Sequence, residues 1–328
     1  MSDQLLEVSN LKKYYPIQAG LIRRTIGHVK AIDNVSFQIG YGETLGIVGE
    51  SGCGKSTLGR MIMRVLEPTE GTILFDQQDI TKMHGTTLRR TRRNFQMVFQ
   101  DPYASLNPKM MVSDIIAEPL LINDIMNRKE ASEKVNQLID LVGLRQKDLR
   151  KYPHEFSGGQ RQRIGIARAL SLSPKLIVAD EAVSALDVSI QAQILNLMTE
   201  LKKEFNLSYM FISHNLSVVK HISNRVGVMY LGHLVEIGDK DSLYQEPLHP
   251  YTKALLSSSP HAKRGVKREK IILQGEVPSP ANPPQGCPFH TRCPQVMEVC
   301  KSVRPQLQQI VPGHSAACHL YETAGASL

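Results

Sequence analysis

The sequence predicts an α/β fold with a parallel-stranded core, a flank of antiparallel strands and a small cysteine-bearing extension at the C-terminus. Three features carry that reading. Apolar runs of strand length recur without polar alternation, in "TLGIVG" (44–49), "LIVAD" (176–180) and "SYMFIS" (208–213). Strands buried on both faces of a parallel sheet have that texture. Helical patterns lie between and after these runs, which argues for helices layered on a sheet. Past residue 256 the composition turns basic and Pro-rich, in "SSSPHAKRGVKREK" and "EVPSPANPPQGCP".

Taken in chain order, the N-terminal third reads as short antiparallel strands, "LLEVSNLKKYYPI", "VKAIDNVSFQI" and "GTILFD". The helix in "SEKVNQLIDLVGL" puts Val135, Leu138, Ile139 and Val142 on one face, and Gly143 stops it. A second helix runs through "VSIQAQILNLMTELKKEF" with Asp187 as its N-cap. "RVGVMYLGHLVEIGD" predicts a hairpin turning at Gly232 and His233. The change of texture divides the chain into a domain at 1–256 and an extension at 257–328. That extension is too small for much of a core of its own.

The 328 residues allow one large domain plus an appendage. With 21% charged and 41% hydrophobic residues the chain reads as globular. No uncharged apolar run reaches the roughly 18–20 residues that span a bilayer. "MSDQLLEVSN" has no basic or apolar leader segment. The expected location is the cytoplasm, or the cytoplasmic face of a membrane through a partner. The net charge of +8 is concentrated in "LRRTRR" (88–93) and "HAKRGVKREK" (261–270). Neither run is interleaved with aromatics, so a solvated face and a basic linker are favoured over a nucleic-acid surface. Anionic headgroups nearby would also suit such runs.

"GESGCGKST" begins at Gly49 and fits G-x-x-x-x-G-K-[ST]. Such a loop, here Gly49, Glu50, Ser51, Gly52, Cys53 and Gly54, turns successive N–H groups onto phosphate oxygens. Lys55 reaches the β/γ-phosphates, and Ser56, followed by Thr57, holds Mg²⁺. A strand precedes and a helix follows, so the helix dipole adds to the cradle. "LIVADE" delivers Asp180 to a strand tip, where ligands bind in open α/β sheets. Asp180 reads as a Mg²⁺ group and Glu181 as the general base for an attacking water. "FSGGQRQR" opens another helix with Ser157, Gly158 and Gly159, which makes a second anion cradle or simply a helix cap. One nucleotide does not need two cradles in one chain. A head-to-tail pair of chains does.

With these motifs in place, the chain resembles the ATP-binding subunit of an ABC transporter over residues 5 to about 256. The resemblance implies a P-loop NTPase with a RecA-like core, an antiparallel β subdomain and a helical subdomain at about 100–170. It implies that Gln100 of "VFQDP" contacts Mg²⁺ and senses a permease. "FSGGQ", with Ser157, Gly158, Gly159 and Gln160, matches the family signature "LSGGQ", Phe156 replacing Leu. "SALD" ends the D-loop at Asp187, and "ISHN" supplies the switch His214. Tyr15, rather than Tyr14, sits where the family stacks an aromatic on adenine. Lys55, Glu181 and His214 form the implied catalytic set. Ala182 stands where Pro is usual, and Asn215 where Asp is usual. Both bear on local loop geometry and rate, not on the class of activity.

"HPYTKALLSSSP" and "GEVPSPANPPQGCPFHTRCP" resemble the tail of dipeptide and oligopeptide importer ATPases. That likeness implies a subunit that spends ATP on peptide uptake across the bacterial inner membrane, lying peripherally on its cytoplasmic face. The implied partners are a second, similar ATPase subunit, two transmembrane permease subunits and an external peptide-binding protein. Relatives of this kind also serve nickel and antimicrobial peptides. A soluble ABC ATPase acting on nucleic acid has only the basic runs in its favour, and no nucleic-acid partner is expected.

Cys287, Cys293, Cys300 and Cys318 follow C-x₅-C-x₆-C-x₁₇-C, whereas Cys53 stands alone. Four thiols in a small, Pro-rich extension predict a metal that helps it fold. The gaps fit structural zinc poorly. They match neither common ferredoxin spacing, although four thiolates suit a [4Fe–4S] cluster. The importer resemblance implies such a cluster. Zinc and plain reduced thiols remain alternatives.

Overall fold

The computed structural model describes residues 4–19, 24–258 and 271–324. The basic run 261–270 lies outside them. The chain opens with β1 (Gln4–Ala19) and β2 (Arg24–Gly40), then β3 (Thr44–Val48), α1 (Lys55–Ile62), β4 (Glu70–Phe75), β5 (Gln78–Asp79) and α2 (Gly85–Thr91). β6 (Phe95–Val98) leads into α3 (Pro102–Ser105), α4 (Val112–Ile122), α5 (Arg128–Leu141) and α6 (Gly158–Leu170). Strand and helix then alternate: β7 (Leu176–Asp180), α7 (Val188–Phe205), β8 (Ser208–Ile212), α8 (Leu216–Ile222). β9 (Arg225–Tyr230), β10 (His233–Asp239), α9 (Lys240–Gln245) and α10 (Pro250–Ser258) follow. The extension contributes α11 (Glu298–Ser302), β11 (Gln308–Val311) and β12 (His314–Ala316).

The strands form two sheets. One is antiparallel, ordered β2-β1-β4-β5. The other is ordered β11-β12-β10-β9-β3-β8-β7-β6. Within it β9, β3, β8, β7 and β6 are mutually parallel, so the C-terminal tips of β3, β8, β7 and β6 share one edge. The three apolar runs read as buried strands are β3, β7 and β8, and every residue in them is buried.

The N-terminal strands are antiparallel as expected, but β1 and β2 are long, at 16 and 17 residues. Register shifts between Val8 and Leu11 and again between Lys13 and Tyr14 break the period-2 pattern, which is why each looks like shorter pieces in the sequence. The β9–β10 hairpin turns one residue earlier than predicted. Leu231 and Gly232 take φ of 43° and 77°, and His233 already pairs with Tyr230. Two positive-φ residues match the right-handed twist of the strands they join.

Helix α5 buries Val135, Leu138 and Ile139 on the predicted face, and Gly143 follows at φ 71°. Asn127 and Glu130 close a capping box at its start. The basic run 88–93 is put to local use. Arg93 donates to the Asn123 carbonyl at 2.6 Å and Arg89 to that of Ile122, both at the C-terminal end of α4, where carbonyls lack helical partners. Among the described residues the extension has no separate core. Cys287, Phe289 and Cys300 join the main cluster around Tyr230 and Tyr251, and β12 pairs with β10. Some fifty residues bury too little by themselves and complete their burial on the larger body.

Candidate functional site

The tip of β3 feeds the loop 49–54 into α1. Two glycines there have no substitute. A Cβ on Gly49 would lie 2.3 Å from the Met229 carbonyl oxygen. One on Gly54, at φ +105°, would lie 2.4 Å from that of Ala31. The Lys55 ammonium is buried within the loop and donates to the Gly49 and Glu50 carbonyls at 2.8 and 2.9 Å. Ser51 and Gly52 are exposed, Cys53 is buried, and Thr57 is half-buried in the first turn of α1. Burial pushes the Cys53 thiol up, against the Lys55 charge.

Because β6, β7 and β8 run parallel to β3, their tips bring the remaining residues to the same edge. The Ser56 hydroxyl donates to Asp180 Oδ1 at 2.9 Å. Burial pushes the Asp180 carboxyl up from its ordinary value, opposed by the Ser56 hydrogen bond and the Arg60 charge. A buried carboxylate beside a hydroxyl is a fitting pair for Mg²⁺, whose charge would favour the ionised form. Gln100 Nε2 donates to Glu181 Oε2 at 2.9 Å, and His214 Nδ1 lies 3.4 Å from the same oxygen. Glu181 itself sits at φ 49°. Ser56, Arg60, Gln100 and Asp180 line a cleft of about 730 Å³ that continues along Arg92, Phe95 and Arg168.

Three expected groups lie on other elements, with Gly159 buried. Ser157 caps α6: its hydroxyl accepts from the Gln160 amide at 3.4 Å, and its own amide donates to Gln160 Oε1 at 3.0 Å. Gly159 meets α7 so closely that a Cβ would fall 2.4 Å from Ile190 Cγ2. Gly158 is half-buried beside Leu186. Among the described residues no hydrogen bond joins this segment to the loop 49–54. Asp187 occupies the N-cap position of α7, but its side chain caps nothing and is exposed. Tyr15 is 37% exposed on β1, with the Lys13 ammonium 5.2 Å from its ring centroid. Tyr14 is engaged otherwise, its hydroxyl donating to Asp33 at 2.6 Å.

The four extension cysteines gather. Cys287, Cys300 and Cys318 are buried and Cys293 half-buried. Burial pushes Cys287 up to about 12 and Cys318 up to about 11, and neighbouring thiols add to both shifts. The amides of Phe289, Gln295 and Leu320 each face the sulfur two residues back, on Cys287, Cys293 and Cys318. Among the described residues, however, no three His, Cys, Asp or Glu side chains converge as they would on a single ion.

Sequence reasoning missed the two residues that hold Glu50 from outside the loop. The Tyr251 hydroxyl accepts from the Glu50 amide at 2.9 Å. Arg292 grips the Glu50 carboxylate with both terminal nitrogens, at 2.8 and 3.2 Å. Tyr251 lies in a quoted motif and Arg292 between two cysteines, but nothing local points either of them at residue 50.

Residues 32–184 match the family described as ABC transporter, and residues 235–300 match the oligopeptide/dipeptide transporter C-terminal region. The chain is 60% identical to the oligopeptide transport ATP-binding protein AppF of Bacillus subtilis, over 97% of this chain and 98% of that one. It is 51% identical to the dipeptide transport ATP-binding protein DppF of Haemophilus influenzae, over 96% of each. The dimeric ATP-binding cassette MJ0796, in a post-hydrolysis state with ADP and Pi, superposes with a TM-score of 0.64 at 26% identity, over 72% of this chain and 98% of that one. The chain belongs to the ABC transporter ATP-binding proteins, in the group that carries the oligopeptide/dipeptide C-terminal region.

Proposed function

We propose that this chain is the ATP-hydrolysing subunit of a peptide importer, energising uptake of dipeptides or oligopeptides. The observation that supports it most is the meeting of Ser56, Asp180, Gln100, Glu181 and His214 beside the phosphate loop at one edge of the parallel strands. The names of the 60% and 51% identical relatives support the peptide cargo. No helix among the described residues is long and apolar enough to cross a membrane. The chain works peripherally, on the cytoplasmic face of the inner membrane, against two membrane subunits supplied by an external peptide-binding protein.

Chemically, the loop amides and Lys55 hold the phosphates, and Tyr15 takes the adenine. Ser56, Gln100 and Asp180 would hold Mg²⁺, which offsets the charge of the phosphate oxygens. Glu181 orients and deprotonates the attacking water, and His214, which shares its carboxylate oxygen, bears on the γ-phosphate. Ser157, Gly158, Gly159, Gln160 and Asp187 face a second ATPase subunit, similar but not identical, and close over its nucleotide. The exposure of Ser157, Gln160 and Asp187 and the dimeric state of MJ0796 support that assignment. Closure favoured by ATP and relaxed by hydrolysis then drives the membrane subunits.

The four-cysteine extension takes a [4Fe–4S] cluster. The gathered thiols and the amides aimed at three of them support it, since such donors stabilise cluster thiolates. Iron and acid-labile sulfide near four per chain are expected in anaerobically purified protein; one zinc and no colour would replace the cluster with a structural clamp. For the ATPase, Glu181→Gln should slow turnover by about 10²–10⁴-fold while leaving ATP binding intact. Near-normal hydrolysis in that variant would remove Glu181 from the mechanism.

A further inference from the structure

We propose that the C-terminal extension braces the nucleotide site at two points, with Arg292 and Arg304 as positioning residues. The inference rests on the ATP site proposed above. Glu50 lies inside the phosphate loop, where a carboxylate opposes a polyphosphate. Arg292 answers it with a two-pronged pair, its own side chain 9% exposed and that of Glu50 28%. Bidentate pairs of this kind are stronger than single neutral hydrogen bonds and fix direction as well as charge. The Tyr251 hydroxyl takes the Glu50 amide, so side chain and backbone of one loop residue are both held from outside the loop.

Arg292 is itself held by the cysteine segment. It ends the turn His290–Arg292, between Cys287 and Cys293, and its amide donates to the Phe289 carbonyl at 3.0 Å. Phe289 packs edge-on to Tyr230 and tilted to Tyr251, with centroids 5.2 and 5.4 Å away. The same short segment therefore sets the two groups that grip Glu50.

The second point is near Tyr15. Arg304 donates to the buried Asp33 at 2.8 Å, and the other oxygen of Asp33 takes the Tyr14 hydroxyl at 2.6 Å. Tyr14 is the chain neighbour of Tyr15, so the extension fixes the strand that presents the adenine platform. A backbone path joins the two points: the Asp33 amide donates to Gly232, and the Gly232 amide to Cys53 in the phosphate loop, both at 2.9 Å. Two arginines of the extension thus reach the phosphate end and the base end of one site.

The test is the affinity of the full-length chain for MgATP, by competition against a fluorescent nucleotide, with thermal midpoints recorded alongside. Arg292→Gln should weaken ATP binding by up to about 10–150-fold, the worth of a charged hydrogen-bonded pair. The double variant Glu50→Gln with Arg292→Gln should bind no more weakly than Glu50→Gln alone, because the charge that Arg292 neutralises is gone. Arg304→Gln should weaken binding as well, and Tyr14→Phe should add little to it. Wild-type affinity in Arg292→Gln, or losses that simply add to those of Glu50→Gln, would overturn the brace. If Arg292→Gln fails to fold, Arg292→Lys decides. Reduced affinity at a wild-type thermal midpoint supports the brace, and wild-type affinity sinks it. A wild-type chain that binds no ATP would overturn the ATP site, and the brace with it.

Discussion

Asn215 stands where the family usually carries Asp, and its side-chain oxygen accepts from the Ser217 and Val218 amides at 3.0 and 3.3 Å. It is the N-cap of the seven-residue α8, a role that Asn and Asp fill almost equally. The exchange therefore preserves the structure that follows His214. Asn215→Ala should cost about 0.5–2 kcal/mol in urea unfolding, and Asn215→Asp almost nothing. Equal midpoints for Ala and wild type would show that the cap contributes nothing. Ala182 is buried in the core cluster next to Glu181, whose left-handed backbone costs of order 1 kcal/mol. That conformation aims the carboxylate at Gln100 and His214. Glu181→Gln keeps its shape and should leave stability nearly unchanged, so a loss of turnover in that variant would report chemistry.

At the scale of elements, β12 is joined to β10 by more than its backbone ladder. Glu236 on β10 is fully buried and accepts from the Leu248 and His249 amides at 2.8 and 2.9 Å. Its Oε1 also meets His314 Nε2 of β12 at 2.7 Å. One carboxylate thus ties the start of α10, the hairpin and the extension together. Glu236→Leu would leave two amides and an imidazole unpaired in the core. The expected loss is about 3–5 kcal/mol, read from chemical denaturation, with the extension the first segment cut by protease. An unchanged cleavage pattern would deny Glu236 that role. Helix α5 illustrates the opposite case. Its face and its stop are local and were readable in advance, whereas the capping box of Asn127 and Glu130 lies upstream of the stretch that was read as helix.

For the whole molecule, acidity is the informative variable. His233 and His249 are both held down to about 4, chiefly by burial. Their folded values lie below the unfolded value near 6.5, so folding is most favoured above that pH. As pH falls from about 6.5 towards 4, each removes about 1.4 kcal/mol per pH unit, because the unfolded chain takes the proton first. The thermal midpoint should therefore drop steeply between pH 6.5 and 5, and substituting either histidine by Gln should flatten the drop. A midpoint independent of pH across that range would contradict the burial of both. Asp33 behaves differently. Burial opposes its ionisation, but the Tyr14 hydrogen bond and the Arg304 guanidinium outweigh it and hold it below the usual carboxylate range. Its contribution is complete above that range and is lost only as pH falls through the lower folded value, so it outlasts the histidines.

The sequence by itself determined what depends on near neighbours. The buried strands were legible because each is one apolar run, and the phosphate loop because its glycines, Lys55 and Ser56 are consecutive. Asp180 and Glu181 were legible because a strand must end where they stand. The length of β1 and β2 was not, since bulges scramble the period on which the reading relies. Only the tertiary structure decided which distant residues meet. Gln100 and Glu181 are 81 positions apart, and Arg292 and Glu50 are 242 apart. The first meeting follows from strand order, which local propensity does not encode. The second exists because a tail too small for its own core completes its burial against β10, Tyr230 and Tyr251. That docking, rather than any motif, brings its arginines to Glu50 and Asp33.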